Sequence, residues 1–358
     1  MPDPVKMKKF WTVLLTIVSL LIGGGLFSQT AAAADNGAKF TIKPIYPKNQ
    51  LDSSLGYFQL KTKPGSTGKL GVTVANLDRS QSRKIKVQPV VATTSDDGQI
   101  NYTPSNSKLD SSAQLELPKL MSKAVTVKLA PLTQRQVTFS YKIPDAGFKG
   151  TLLGSIYALD ETASNSKAKG FTINNRFAMA LGVSMTTNPN WVVSPNFELG
   201  DVAARVVDNQ PAVVANLRNV APTYFRGMNV KTDVTQKGES KKLYQARLND
   251  GSMAPTSNFN FRVDTKGKAI PAGDYTLNMT VKVGKRTWHL TKDFTVTAAD
   301  HDKIAAKIGE KQPNNWLYWL IGILIILLLI LLAWTFYRLG KKGGRKDDKP
   351  TQDKPEDH

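Results

Sequence analysis

KLGVTVANL (69–77) and, after a polar break, KIKVQPVVATT (84–94) alternate aliphatic with polar residues at a period of two. In the first stretch Leu70, Val72 and Val74 fall on one side and Lys69 and Thr73 on the other, the pattern of a strand with one face in a core. The break between them, DRSQSR (78–83), lacks apolar residues and suits a turn. The same style recurs in KAVTVKLA (123–130) and QRQVTFSYKI (134–143). It returns in PAVVANLRN (211–219), GMNVKTDVT (227–235), NFNFRVDT (258–265), GDYTLNMTVKVG (273–284) and TWHLTKDFTV (287–296). No comparable helical period precedes residue 300. Strands of this length, closely spaced and punctuated by Pro, Gly, Asp and Asn, predict an all-β protein of two immunoglobulin-like β-sandwich domains in tandem. A weak internal echo agrees with two such sandwiches: VTVANLDR (72–79) resembles VVANLRN (213–219), and KIPDAGFKGTLLGSIYAL (142–159) resembles AIPAGDYTLNMTV (269–281).

The ends of the chain read differently. Trp316 to Tyr337 is an uncharged run, roughly 33 Å as a helix and long enough to cross a bilayer core of about 30 Å. Aromatic residues crowd both of its ends, and Arg338, Lys341, Lys342, Arg345 and Lys346 follow, a basic cluster that stays cytoplasmic. At the N-terminus Lys8 and Lys9 precede an apolar stretch and the small residues before Asp35, the pattern of a secretory signal peptide. The expected layout is a signal peptide (1–34), a first sandwich (38–160), a second sandwich (170–297), a linker (298–315), a transmembrane helix (316–337) and a cytoplasmic basic tail (338–358). Strand 171–187 is equally compatible with packing on the first sandwich. The protein is thus expected as a single-pass cell-membrane protein with its N-terminal ectodomain outside.

Cysteine is absent from the sequence, which removes disulfides and thiolate metal sites. The three histidines, His289, His301 and His358, stand in a strand, the linker and the tail, so no histidine pair is placed for a triad or a metal. Asp96-Asp97 before Gly98 reads as a hairpin turn rather than a carboxylate pair for glycan cleavage. No catalytic residue, cofactor or metal is expected. With the terminal segments removed, the ectodomain keeps a net charge of about +16, which attracts polyanions over a Debye length of about 8 Å. Outside a cell those are wall and matrix polymers, not nucleic acid.

The stretches FTIKPIYPKNQLDSSLGYFQLKTKPGSTGKLGVTVANLDRS (40–80), TTSDDGQINY (93–102) and GFKGTLLGSIYAL (147–159) resemble the first domain of the WxL-interacting proteins of Gram-positive bacteria. FTINNRFAMALGVSM (171–185), PAVVANLRN, DGSMAPTSNFNF (250–261), PAGDYTL (271–277) and WHLTKDFTV (288–296) resemble their second. The resemblance implies a peptidoglycan-binding domain, a host-binding domain, and partnership with surface proteins that carry a WxL domain. It also leaves open a spacer or adhesin with only electrostatic wall affinity. Ligand-binding candidates are the aromatics near polar loops, Tyr46, Tyr57, Phe58 and Tyr102, with Asn49, Gln50 and Asn101 able to bond amides and hydroxyls. Tyr57 and Phe58 open an alternating strand, so one of the two must face the core. The edges around PAVVANLRN and NFNFRV are expected to pair with a partner's sheet.

Overall fold

The computed structural model describes residues 37–162, 176–309 and 316–342. Residues 1–36, which include the expected signal peptide, residues 163–175, the stretch 310–315 and the expected tail beyond Lys342 lie outside the described residues. The described chain forms two units. The first holds residues up to Ala92, Tyr102–Asn106 and Gln114–Val192; the second holds Thr93–Asn101, Ser107–Ala113 and everything from Val193 on.

In the first unit a three-stranded sheet has the order β1-β3-β8 (Phe40–Ile45, Thr67–Asn76, Gln134–Lys142). A five-stranded sheet has the order β2-β10-β9-β4-β7 (Phe58–Lys61, Ala178–Thr186, Leu152–Asp160, Arg83–Val91, Val125–Leu129). The alternation in 69–77 produces this packing directly: Leu70, Val72 and Val74 are fully buried and meet Phe139, Ile85, Val87 and Ile156 in one core. A short helix, α1 (Leu117–Leu120), seals that core with Leu117. β10 pairs antiparallel with β9 and parallel with β2, and its Val183 and Met185 are fully buried in the same core. Gly154 of β9 permits the close approach of β4, since a Cβ there would lie 2.3 Å from the Val90 carbonyl oxygen.

In the second unit the sheets are β11-β12-β15 (Phe197–Val207, Gln210–Asn219, Ser257–Asp264) and β14-β13-β16-β17 (Lys242–Met253, Phe225–Gln236, Gly273–Val283, Arg286–Val296). A two-stranded hairpin of β5 (Thr93–Thr94) and β6 (Ile100–Asn101) belongs to this unit. Phe259, Leu217, Val230, Leu277 and Val281 form the centre of its core. At the start of β16 the Tyr275 hydroxyl donates to the Pro271 carbonyl at 2.9 Å, the tyrosine corner expected where an immunoglobulin-like chain crosses between sheets.

The two units share a strand order, because β1-β3-β8 corresponds to β11-β12-β15 and β7-β4-β9-β10 to β14-β13-β16-β17. The sequence echo therefore falls on equivalent strands, β3 with β12 and β9 with β16. Its register is shifted, however. The equivalent of Asn76 is Asn219 and not the Asn216 that the Ala-Asn-Leu motif aligns. Both close the central strand and are buried. Asn76 Nδ2 donates to the carbonyls of Gln81, Leu129 and Ala130, and Asn219 Nδ2 to those of Thr223 and Ala254. Each side-chain oxygen accepts from the amide two residues on. Asn76→Ala and Asn219→Ala are each expected to cost about 2 kcal/mol, because they leave buried carbonyls unpaired. A lowered urea midpoint with an unchanged slope is the measurement that checks this.

Residues 298–315, expected as a linker, hold a helix instead: α2 (Ala298–Ile308). Thr297 Oγ1 accepts from the Asp300 amide at 3.1 Å and the Asp300 carboxylate accepts from the Thr297 amide at 3.2 Å, a capping box. Gly309 ends the helix at φ 70°. Ile304 and Ala305 are buried beside Ala269, Ala204 and Val206, and His301 Nδ1 lies 2.9 Å from the Ile270 carbonyl oxygen.

Candidate binding surfaces

The loop between β1 and β2 carries four of the sequence candidates, and the local chemistry explains its shape. The Asn49 carbonyl and the Leu51 amide bond the backbone of Lys61 and Gln59, so the loop folds back along β2. Asn49 Nδ2 donates to the Lys61 carbonyl at 2.9 Å and to the Tyr141 hydroxyl at 3.1 Å. Tyr141 reaches it by laying its ring across Gly68, where any Cβ would lie 2.3 Å from the ring. Gln50 Nε2 donates to the carbonyls of Asp52 and Tyr57, and its Oε1 accepts from the Gln59 amide. The amides of Asn49 and Gln50 thus hold the loop.

Phe58 is fully buried and meets Tyr46 edge-on at 6.1 Å between ring centroids. Its ring serves the core, as the alternation at Tyr57-Phe58 requires, and offers nothing to a ligand. Tyr46 and Tyr57 are half-buried. The loop also exposes Leu51 and Leu55, with Ile45 beside it on β1; these aliphatic side chains are not among the sequence candidates, which are aromatics and side-chain amides.

Asn101 and Tyr102 do not join this group as a pair. Asn101 lies on β6 opposite Thr93, in the second unit, whereas Tyr102 belongs to the first, its carbonyl accepting from Ser155 Oγ at 2.6 Å. Asp96-Asp97 occupies the hairpin turn: the Gly98 amide bonds the Ser95 carbonyl at 2.8 Å, and Asp97 Oδ1 accepts from the Gln99 amide at 3.1 Å. Among the described residues no group of acids, histidines or cysteines is placed to hold a metal ion.

In the second unit the segment Thr93–Asn101 lies along β15. Thr94 Oγ1 accepts from the Ala254 amide at 3.1 Å and lies 2.6 Å from Ser257 Oγ. Asp96 Oδ1 accepts from the Asn260 amide at 2.9 Å. These contacts revise the expected pairing edge: β12 is flanked on both sides by β11 and β15, and the outer edge of β15 already bonds the protein's own hairpin. Next to it, Asp110 is buried and receives Arg218 Nε at 2.7 Å and Nη2 at 2.9 Å, while Arg218 Nη1 reaches Glu198 at 2.8 Å. Burial pushes the Asp110 carboxyl up, but the hydrogen bonds from Arg218 and Ser112 outweigh it and hold it well below the ordinary carboxylate range.

Residues 40–160 match the family described as WxL Interacting Protein, peptidoglycan binding domain, and residues 168–306 match WxL Interacting Protein, host binding domain. Between them these matches take in most of the chain, in the family's order. The chain belongs to the WxL Interacting Protein family. Both domains of this WxL Interacting Protein are described as binding domains. The boundary between the two matches departs from the boundary between the units, since β10 lies within the second match but pairs in the first unit.

No curated protein matches the sequence. Among solved structures the chain is similar to the CsuC-CsuE chaperone-tip adhesion subunit complex of Acinetobacter baumannii, at 12% identity over 71% of this chain and 98% of that one, with a TM-score of 0.31. It is similar to the Salmonella enterica SafA pilin in complex with the SafB chaperone, at 12% identity over 66% and 98%, with a TM-score of 0.25. The Pseudomonas aeruginosa CupB2 chaperone is similar at 11% identity over 64% and 92%, with a TM-score of 0.24.

One further helix is described, α3 (Trp316–Lys342). Within it Tyr318–Arg338 is long and apolar enough to cross a membrane, and none of it is buried in the protein. Arg338 lies over the Trp334 ring at 4.4 Å, a cation held at the end of the apolar run.

Proposed function

We propose that this protein is a non-enzymatic surface protein, anchored by α3 with its C-terminus in the cytoplasm, that binds peptidoglycan and scaffolds WxL-domain proteins. The observation that carries the reading is the succession along one chain of the two family domains and then the apolar helix. In the first unit the wall contacts are assigned to Tyr46, Tyr57 and Tyr102, whose rings suit sugar faces. Asn49 and Gln50 shape the loop that carries the first two. Host-matrix contact belongs to the second unit.

The helix α2 supports a membrane-proximal place for the second unit. With residues 298–308 folded back onto it, the chain from Gly309 to Trp316 reaches no more than about 25 Å. A domain held that close to the bilayer meets bacterial partners before host material. A WxL-domain protein is therefore its first partner, and capture of such a protein from detergent-solubilised cells tests this; a capture that recovers only wall fragments would count against the scaffold.

Anchoring has its own expected result. The segment before α3, KQPNN (311–315), is a poor candidate for exchange to a wall linkage. Muramidase digestion is expected to leave the protein in the membrane fraction until detergent is added. Release in soluble form by muramidase alone would overturn the anchor.

A further inference from the structure

The solvent face of the sheet β14-β13-β16-β17 holds a cationic corner that folding does not require. Lys231 of β13 stands directly opposite Arg247 of β14, and both side chains are exposed. Their neighbours Val230, Leu248 and Thr232 turn inward, which fixes both cations on the outer face. Lys282 of β16, also exposed, lies opposite Asn229, one diagonal step from Lys231. Cross-strand neighbours stand about 5 Å apart and diagonal ones about 7–8 Å, and like charges directly opposite each other are destabilising.

The acids of the same face do not relieve this. Asp233 is engaged by Lys242 Nζ at 2.9 Å and by Asn278, and Asp293 by Lys237 Nζ at 2.9 Å and by Thr276. Among the described residues none of Lys231, Arg247 and Lys282 has a carboxylate within ion-pair distance. Around the three cations the face offers hydroxyls and amides, Thr280, Thr287 and Asn229 among them. Such a surface lacks the apolar centre of a protein interface and suits a flexible, hydroxyl-bearing polyanion with charges every 5–8 Å or so.

We propose that this corner binds a linear phosphodiester polymer of the cell wall, giving the second unit a wall contact separate from the peptidoglycan contact of the first. The choice of a wall polymer over a sulfated host glycan rests on the wall-binding reading above, because a chain that grips peptidoglycan carries its second unit into the same polymer matrix.

The test uses the full chain in detergent and immobilised poly(glycerol phosphate) as probe, with affinity measured over a range of salt. The variant Lys231→Gln/Arg247→Gln/Lys282→Gln is expected to bind on the order of tenfold more weakly, and its log affinity against log salt to flatten by about 2 for three lost phosphate contacts. A control with the same loss of charge, Lys128→Gln/Arg135→Gln/Lys142→Gln on exposed positions of the first unit, is expected to change affinity less than threefold. Equal loss in both variants would reduce the effect to net charge and overturn the proposal. Tighter, variant-sensitive binding to heparin than to the phosphodiester polymer would overturn it too. Wall sacculi stripped of phosphodiester polymer separate the two readings: wild type and variant should sediment with them alike, and failure of both would sink peptidoglycan binding without touching the polymer result.

Discussion

Asp110→Ala is expected to destabilise the second unit by about 2–3 kcal/mol, although residue 110 lies within the sequence matched to the peptidoglycan-binding domain. Removing one member of a buried ion pair costs about 3–5 kcal/mol because the other charge is left without its partner. Here the discount is moderate, since the Arg218 side chain keeps 21% of its exposure and retains Glu198, whereas the Asp110 side chain keeps only 2%. A double-mutant cycle with Arg218→Met isolates the coupling: the loss in the double mutant should fall well below the sum of the single losses. The effect carries a pH signature. The folded carboxyl is held below its unfolded value of about 3.9, so its contribution is complete above that value and is lost as pH falls through the folded one. Wild type should therefore lose stability relative to Asp110→Asn below about pH 4, and parallel curves down to pH 2 would remove the pair from the account.

A fragment cut at the family boundary, residues 168–306, is expected not to fold cooperatively, whereas residues 38–309 should. The cut removes Thr93–Asn101 and Ser107–Ala113, and with them the Asp110 partner of Arg218 and the acceptors of the Asn260 and Ala254 amides. It also carries β10 away from β9 and β2, exposing Val183 and Met185, which are fully buried in the whole chain. Those two side chains belong to the first unit's core, so in the fragment they add exposed apolar surface. The second unit itself loses the ion pair, about 2–3 kcal/mol, and the bonds to Thr94 and Asp96, about 1 kcal/mol each, which together approach the lower end of the roughly 5–15 kcal/mol that stabilises a typical domain. Thermal melting followed by circular dichroism decides it. A sharp transition for the fragment within a few degrees of that of the longer chain would mean that the inserted segments are passengers.

The strands, the all-β class and the apolar terminal helix were legible because each is a local signal: a period of two in KLGVTVANL, a long uncharged run in α3. The hairpin at Asp96-Asp97 was legible for the same reason, since turn chemistry is written in four adjacent residues. The capping box at Thr297 was equally local, but its docking on Ala269 and Ala204 was not, and the helix was passed over. Among the site candidates, alternation settled that Tyr57 and Phe58 point opposite ways, yet only the core decides that Phe58 is the one inside. The roles of Asn49 and Gln50 depend on Lys61, Gln59 and Tyr141, and Tyr141 is ninety-two residues from Asn49 in the chain.

Sequence by itself determined what repeats at short range: where the strands run, where the chain is apolar enough for a membrane, and which residues can turn. Tertiary structure alone decided which strand pairs with which, and so that β10 closes the first sheet, that Asn76 answers to Asn219, and that Asp110 serves Arg218. The physical reason is that a period-two pattern marks a buried face without naming the face opposite. A carboxylate or an amide, in turn, has no assignable role until folding brings its partner within about 3 Å.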